Sequence, residues 1–282
     1  MTAVLIADSG ATKTEWSLTA QGRRETFSTQ GLSPYFFTTE QIADILNTEL
    51  VPFLQQTAPT KIFYYGTGCA RPENARIVSD ALTTCFPGSN VEVQSDLMAA
   101  ARAVCGRAPG VACILGTGSN SCFYDGTGIV KNSPGLGYVL GDEGSGAILG
   151  KKVIQYYLYD TYDEDLRSRF DAQFVTTPSE IIDNVYKKPL ANRYLASFAL
   201  FLANNRGHYM IENIIEDGLN EFFFQHLNKY AEVWTSPVSF VGSIAFGFRD
   251  VIKELCNSYE FELGAVLKNP MPGLETYHFQ EP

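Results

Sequence analysis

The sequence predicts an α/β protein of two domains, with helices packed on mixed sheets. The 282 residues suffice for two domains with separate cores. An apolar run, a turn of glycines and hydroxyl residues and a second apolar run occur at residues 4–18 and again at 112–124. The first half also contains three strands and a helix, followed by two strand–helix pairs. We expect domains at 1–111 and 112–282, with a helical insertion at about 151–235.

The elements of the first half follow from hydrophobic periodicity and from helix-start signals. Thr39 is the predicted cap of an amphipathic helix that Pro52 ends or bends, and Pro72 is expected at the start of the next helix. The predicted strands are 4–7, 15–18, 25–29, 61–66 and 90–94, and the last predicted helix is 97–104.

The second half contains a second hairpin and a long helical stretch. Apolar residues 238–241 form a predicted buried strand, and a helix follows from Gly242 to about Asn257. A last strand is expected at 261–267, and Pro272 is expected to begin a short terminal helix.

The two glycine turns suggest a ligand with phosphate groups. Glycine tolerates positive φ and leaves its backbone N–H uncovered, and consecutive uncovered amides form a concavity that attracts phosphate oxygens. One such turn lies in residues 8–14 and the other in 116–120. The sequence therefore predicts a phosphate chain held from two sides.

Composition excludes several classes of function. The net charge of −10 argues against nucleic acid as a partner, because its binders need a basic face. The six cysteines contain no CxxC pair and the three histidines lie far apart, which argues against disulfides and zinc. No apolar run reaches about 20 residues and no basic leader precedes residue 4, so we expect a cytoplasmic protein without membrane partners.

Asp96 has two interpretations from the sequence alone. It precedes a helical run, where aspartate is a common N-cap, and the sequence favours this structural role. A carboxylate at the end of a strand in a mixed sheet also faces the usual ligand crevice.

Two glycine-rich or aromatic loops are also open to two interpretations. Residues 135–150 contain six glycines, and Asp142 and Glu143 either occupy the first turn of a helix or accept hydrogen bonds from ligand hydroxyls. We favour the ligand role because of the glycine density. The aromatic loop 31–37 is either pinned to the core or forms a wall of a binding site.

Taken together, these segments resemble the superfamily of sugar kinases, actin and heat-shock ATPases. Residues 8–14 and 116–120 are similar to its two phosphate motifs, and 242–245 to its adenosine motif. Residues 141–145, Gly-Asp-Glu-Gly-Ser, resemble the N-acetylglucosamine kinase branch, which also contains the activator ATPases of benzoyl-CoA reductase and 2-hydroxyacyl-CoA dehydratase. The resemblance implies two ribonuclease-H-like, actin/hexokinase-type domains with a nucleotide cleft between them.

The resemblance also implies a role for each motif residue in a kinase that phosphorylates the 6-hydroxyl of N-acetylglucosamine. Asp96 becomes the catalytic base, which reverses the preference for a cap, and Asp8 holds Mg²⁺ through water. The residues implied to bind ATP are Gly10, Thr12, Lys13, Gly116, Thr117, Gly118, Ser119, Gly242 and Ser243. Those implied to line the sugar are Thr117, Leu136, Gly137 and Asp142. A homodimer is compatible with this branch.

Two departures from the animal kinase fall in the sugar pocket. Residues 33–35 stand where that kinase has an asparagine, and Leu136 stands where it has tryptophan. The alternatives to a kinase are an activator ATPase coupled to iron–sulfur electron transfer and a sugar sensor without turnover. Cys105, Cys113 and Cys122 lie where a cluster would be expected, but they lack cluster spacing.

Overall fold

The computed structural model describes residues 3–10, 12–54 and 57–279. They form two compact units, one of residues up to Arg107 with the C-terminal segment from Pro270, the other of Ala108–Asn269. The units differ from the predicted 1–111 and 112–282 in two places. Residue 111 lies inside a strand of the second unit, and the C-terminal helix packs on the first unit, where Met271 and Leu274 are buried against Ile6 and Tyr65.

The first unit is a five-stranded mixed sheet with helices. The strands are β1 Val4–Ser9, β2 Lys13–Ala20, β3 Arg23–Gln30, β4 Lys61–Gly66 and β5 Asn90–Ser95. Their order in the sheet is β3-β2-β1-β4-β5, in which β2 is antiparallel to β1 and β3, and β1, β4 and β5 are parallel. The helices are α1 Thr39–Ile45, α2 Pro72–Cys85, α3 Asp96–Cys105 and, at the C-terminus, Met271–Phe279.

The first helix differs from its prediction at both ends. Thr38, and not Thr39, is the N-cap, and it forms a capping box with Gln41. After α1 the chain continues as a π-helical segment, Leu46–Leu50, and a 3-10 segment, Val51–Leu54, which contains Pro52. Pro52 therefore lies beyond the regular helix, where its missing N–H interrupts no hydrogen bond of α1.

The second unit repeats the strand order of the first. The strands are β6 Gly110–Leu115, β7 Ser119–Tyr124, β8 Ile129–Ser133, β9 Val238–Val241 and β10 Leu263–Leu267. Their order in the sheet is β8-β7-β6-β9-β10, with β7 antiparallel to β6 and β8, and with β6, β9 and β10 parallel. The predicted fold class, two mixed sheets flanked by helices, is confirmed.

The stretch between β8 and β9 is helical, as predicted, but helices begin there before residue 151. They are α4 Gly137–Leu140, α5 Gly146–Leu158, α6 Glu164–Gln173, α7 Pro178–Tyr186, α8 Ala191–Ser197, α9 Ala199–Asn204 and α10 Tyr209–Gln225, followed by 3-10 segments Leu227–Lys229 and Ala231–Trp234. The predicted helix from Gly242 to Asn257 is interrupted at Phe248, which separates α11 Ser243–Gly247 from α12 Arg249–Ser258. The C-terminal helix Met271–Phe279 is α13.

Among the described residues, no helix has the length and apolar character of a membrane span.

A buried polar cluster fixes α13 on the first unit. The His278 ring stacks on Phe63 with centroids 3.7 Å apart, and its Nε2 lies 2.8 Å from the Tyr65 hydroxyl. Arg102 donates to the same hydroxyl at 2.7 Å and to Glu92 at 2.6 Å. Because the Tyr65 oxygen already accepts from Arg102, its own proton is available to a neutral His278. Burial and the charge of Arg102 lower the pKa of His278 to about 4.

We expect His278 to make the stability of the first unit pH-dependent. Its folded-state pKa lies below the unfolded value, so its contribution is complete above about pH 6.5 and is lost as the pH falls towards 4. The loss is at most about 3 kcal/mol, and less because the ring keeps some solvent contact. Denaturant unfolding of the wild type and His278→Gln at pH 7.5 and 4.5 tests this. The stability difference should shrink at pH 4.5, and a constant difference would refute the assignment.

Candidate active site

Asp8 lies in β1, near the carboxyl edge of the first sheet. It is paired in register with Glu15 of β2 and Tyr65 of β4. Burial raises its pKa to about 7, and the negative charges of Asp96 and Glu15 add to the effect. A carboxylate that is this costly to ionise would gain from a nearby cation.

Asp96 is the first residue of α3, and the cap hypothesis for it is wrong. Ser95 is the N-cap, since its hydroxyl accepts from the Met98 N–H at 3.2 Å. Asp96 Oδ1 accepts from the Leu97 N–H at 2.9 Å, and Oδ2 accepts from the Thr67 hydroxyl at 3.0 Å. Burial raises the pKa of Asp96, and both hydrogen bonds oppose that rise. Each oxygen of this oriented carboxylate still has a lone pair for another donor.

Thr67 is a residue of this site that sequence reasoning missed. It directly follows β4, and its N–H donates to the Ser9 carbonyl of β1 at 3.0 Å. The strands β1, β4 and β5 are parallel neighbours, so their carboxyl ends share one edge. A small hydroxyl residue directly after β4 was the available signal.

The first hairpin turn places Gly10, Thr12 and Lys13 beside Asp8. The Gly10 N–H donates to the Lys13 carbonyl at 3.0 Å, so that amide closes the turn. Thr12 and Lys13 are exposed. These three residues therefore lie in the turn that follows the Asp8 strand, and the side chains of Thr12 and Lys13 are accessible to a ligand.

The second hairpin turn, Gly116–Ser119, is seated on the first turn of α5. The Gly116 carbonyl accepts from the Gly146 N–H at 2.8 Å, and the Thr117 carbonyl accepts from the Ala147 N–H at 3.1 Å. The Gly116 N–H donates to the Gly118 carbonyl at 3.0 Å. The turn thus has a fixed conformation, in which two backbone N–H groups of α5 donate hydrogen bonds to its carbonyl oxygens.

Ser119 ends this turn, and its buried hydroxyl has no hydrogen-bond partner among the described residues. A buried polar group normally has a partner, because leaving it without one costs about 1–3 kcal/mol. A phosphate oxygen is a chemically suitable acceptor for it.

Gly242 packs directly against the base of this hairpin. Its φ is +132°, and a Cβ there would lie 2.1 Å from the Leu115 carbonyl oxygen. Its N–H donates to the Leu267 carbonyl at 2.9 Å, and exposed Ser243 begins α11. The predicted adenosine motif therefore adjoins the second phosphate turn.

Asp142 also lies beside this turn, and the hypothesis that it occupies the first turn of a helix is wrong. The helix α5 begins at Gly146 with Ser145 as its cap, so Asp142 belongs to the preceding loop. Its carboxylate is so close to Gly118 that a Cβ there would lie 3.0 Å from Asp142 Oδ2. Burial raises the pKa of Asp142. The structure thus brings Asp142 next to the turn that contains Thr117.

Leu136 and Gly137 lie at the start of the loop that leads to Asp142. Leu136 is 58% exposed, and Gly137 has a φ of +75° that a side chain would disfavour. The Gly141 N–H donates to the Gly137 carbonyl at 2.8 Å and closes the single turn of α4. The family resemblance implies that Leu136 and Gly137 line the sugar, and the structure shows them in an exposed turn.

A magnesium site here would depend on few protein ligands. The described residues contain no group of three or more histidine, cysteine, aspartate or glutamate side chains placed to hold a metal ion. Mg²⁺ commonly takes only one or two carboxylates and completes its octahedron with waters and substrate phosphates. Asp8, with its raised pKa, fits such a ligand.

Comparison with known proteins places the chain in a family. No family model matches it, and no curated protein matches it. A proposed N-acetylglucosamine kinase from Porphyromonas gingivalis is 38% identical, with a TM-score of 0.93 over 98% of both chains. The chain belongs to the N-acetylglucosamine kinase family. Members of this family are ATP-dependent sugar kinases, phosphotransferases with an alcohol as acceptor, and we assign the chain to this enzyme class.

More distant structures share the fold of this N-acetylglucosamine kinase family member. A proposed N-acetylglucosamine kinase from Chromobacterium violaceum is 18% identical, with a TM-score of 0.73 over 98% of this chain and 99% of that one. A proposed N-acetylmannosamine kinase from Listeria monocytogenes is 15% identical, with a TM-score of 0.52 over 98% and 95% of the two chains.

We expect Gly242→Ala to destabilise the second unit of this kinase. The new Cβ would clash with the Leu115 carbonyl at a φ that alanine disfavours, at a cost of at least about 2 kcal/mol. Gly128→Ala is the matched control, since a Cβ there meets no atom within 4 Å. Thermal unfolding should show a lower Tm for Gly242→Ala alone. Equal Tm values would contradict the close approach of Gly242 to the hairpin.

Proposed function

We propose that the protein transfers the γ-phosphate of ATP to the 6-hydroxyl of an amino sugar, N-acetylglucosamine. The observation that carries the proposal is the Asp96 carboxylate, which Thr67 and the Leu97 N–H orient while Ser95 takes over the capping role. A 38% identical relative is itself a proposed N-acetylglucosamine kinase, which supports this sugar as the substrate.

In this proposal, Asp96 is the general base. A sugar hydroxyl is a weak nucleophile near neutral pH, and its proton needs an acceptor as the oxygen attacks the γ-phosphorus. A lone pair on an Asp96 oxygen accepts that proton, the new O–P bond forms, and the bond to the bridging oxygen of ADP breaks. Thr67 and the Leu97 N–H keep the carboxylate in one orientation, which matters because phosphoryl transfer depends largely on positioning.

The phosphates are proposed to bind at the two hairpin turns. The buried Ser119 hydroxyl donates to a phosphate oxygen, and Gly116, Thr117 and Gly118 supply a close backbone approach. The proposed counterparts in the first unit are Gly10, Thr12 and Lys13, with Lys13 supplying positive charge. The adenosine is assigned to Gly242 and Ser243.

Asp8 is the proposed residue for Mg²⁺, held through a water molecule. When bound, Mg²⁺ would neutralise phosphate charge and add to the positive charge that Lys13 supplies in this acidic chain of net charge −10. The raised pKa of Asp8 is consistent with this role, since a cation favours its ionised form. We propose the cytoplasm as the compartment of the enzyme, and a homodimer is compatible with the proposed function.

The sugar is proposed to contact Asp142, Thr117, Gly137 and Leu136. An ionised carboxylate only accepts hydrogen bonds, so Asp142 suits sugar hydroxyl groups. Leu136 supplies an exposed apolar face beside it. Leucine is smaller than the tryptophan of the animal kinase, so a substituent larger than acetamide is expected to fit.

The direct test is ADP release in a coupled assay with N-acetylglucosamine, glucosamine and N-acetylmuramic acid. We expect turnover to require a sugar, with N-acetylglucosamine giving the highest kcat/KM. Asp96→Asn should lower kcat by roughly 10²–10⁴-fold, the usual value of a general base, with little change in sugar binding.

Three outcomes would count against the proposal. Turnover in Asp96→Asn close to that of the wild type would return Asp96 to a structural role. Steady ATP hydrolysis without sugar, together with cluster absorbance in anaerobically purified protein, would favour the activator ATPase. Tight sugar binding without turnover would favour a sensor.

A second prediction concerns Asp142. Asp142→Asn is the suitable change, because asparagine tolerates the left-handed backbone that Asp142 adopts at φ +61°. Loss of a charged acceptor of a sugar hydroxyl should raise the sugar KM roughly 10- to 100-fold, while the Kd for ATP stays the same. Asp125→Ala, in an exposed turn of the same unit, is the control and should change neither. Equal weakening of sugar and ATP binding in Asp142→Asn would mean that Asp142 supports the loop instead.

A further inference from the structure

The loop that carries Asp142 has an unfavourable backbone conformation. Asp142 has a φ of +61°, in the left-handed region that non-glycine residues rarely adopt. Such a conformation persists only where surrounding contacts impose it. The Ser145 N–H donates to the Asp142 carbonyl at 3.0 Å, and a Cβ on Gly144 would lie 2.8 Å from Phe222 Cβ. These backbone contacts fix the loop on its helix side.

One side chain of the loop has a buried partner distant in sequence. Glu143 Oε2 lies 2.9 Å from Nε2 of His226, which directly follows α10 and is only 5% exposed. A carboxylate only accepts, so Nε2 of His226 carries the proton in this hydrogen bond. Glu143 is therefore anchored to His226 through one carboxylate oxygen, which makes Asp142 the candidate of the two acids for contact with the sugar.

His226 is itself held rigidly. Its ring stacks on Phe222 with centroids 4.9 Å apart, and its Nδ1 lies 3.0 Å from the Ser133 hydroxyl of β8. The Ser133 N–H donates to the Tyr230 hydroxyl at 2.6 Å, which in turn donates to the Ser121 carbonyl of β7 at 2.9 Å. The imidazole thus connects the loop to the two strands that follow the second phosphate turn.

We propose that His226 is a positioning residue for the sugar site. By holding Glu143, it fixes the neighbouring Asp142 in the backbone conformation that presents its carboxylate to the acceptor sugar. This inference rests on the proposed function, because it assumes that Asp142 reads the sugar. His226 is buried and bonded to Glu143 and Ser133, so we expect its loss to affect sugar recognition through the loop and to leave ATP binding unchanged.

The first test compares two histidine–carboxylate pairs of the same length. His226→Phe keeps an aromatic ring on Phe222 but removes the bonds to Glu143 and to the Ser133 hydroxyl. His208→Phe is the matched control. His208 lies at the start of α10, outside the loop, and its Nε2 lies 2.9 Å from Asp163 Oδ2. We expect His226→Phe to raise the sugar KM roughly 10- to 100-fold, the factor for one hydrogen bond to a charged group, with an unchanged Kd for ATP.

Hydrogen exchange of the backbone amides gives a readout independent of activity. Amides of residues 141–145 should exchange faster in His226→Phe than in the wild type or in His208→Phe. A sugar KM within about twofold of the wild type and unchanged exchange in folded His226→Phe would overturn the proposal, as would equal effects of His208→Phe on the sugar KM.

A second pair of variants covers the case in which His226→Phe does not fold. Glu143 is partly exposed, so its substitution should be tolerated. Glu143→Gln keeps an oxygen that accepts from His226 and should stay close to the wild type, whereas Glu143→Leu removes it and should raise the sugar KM about 10-fold or more. Identical sugar KM values in the two variants would overturn the proposal. Absence of sugar phosphorylation in the wild type would instead refute the proposed function.

Discussion

In the second unit, the conformation of the hairpin turn Gly116–Ser119 depends on its contact with the first turn of α5. Two carbonyls of the turn accept the Gly146 and Ala147 amides, so the helix fixes the turn. Ser145, the N-cap of the same helix, donates its N–H to the Asp142 carbonyl. The base of the hairpin in turn excludes any side chain at Gly242. One helix N-terminus therefore positions the residues proposed to meet phosphate and sugar.

The two units share a strand order but differ in what they contribute. In the first, the carboxyl ends of parallel strands collect acidic and hydroxyl groups, with Asp8, Thr67 and Asp96 at one edge. In the second, the corresponding region is dominated by glycines that allow close backbone approach, and Ser119 supplies a buried hydroxyl. Asp96 and Asp8, the proposed proton acceptor and metal ligand, thus belong to the first unit. Asp142, the proposed sugar-binding residue, belongs to the second.

Most of the fold and the main motifs could be predicted from the sequence, because they depend on local patterns. Both hairpins, the helical stretch after β8 and the start of α2 at Pro72 follow from periodicity and turn residues. The residues that sequence reasoning missed form hydrogen bonds with side chains that are distant in the sequence. Thr67 binds Asp96 across 29 residues, and His226 binds Glu143 across 83 residues, and no local pattern encodes such pairs. The choice between Ser95 and Asp96 as cap depends on a single residue of register, which propensity cannot resolve.

In the proposed reaction, Asp96 activates a primary sugar hydroxyl for phosphoryl transfer. A phosphorus–proton correlation NMR spectrum of the products formed from ATP, Mg²⁺ and N-acetylglucosamine tests this most directly. We predict a sugar phosphate whose phosphorus correlates with both protons on carbon 6. Correlation with the anomeric proton, or free inorganic phosphate as the only phosphorus product besides ADP, would contradict it.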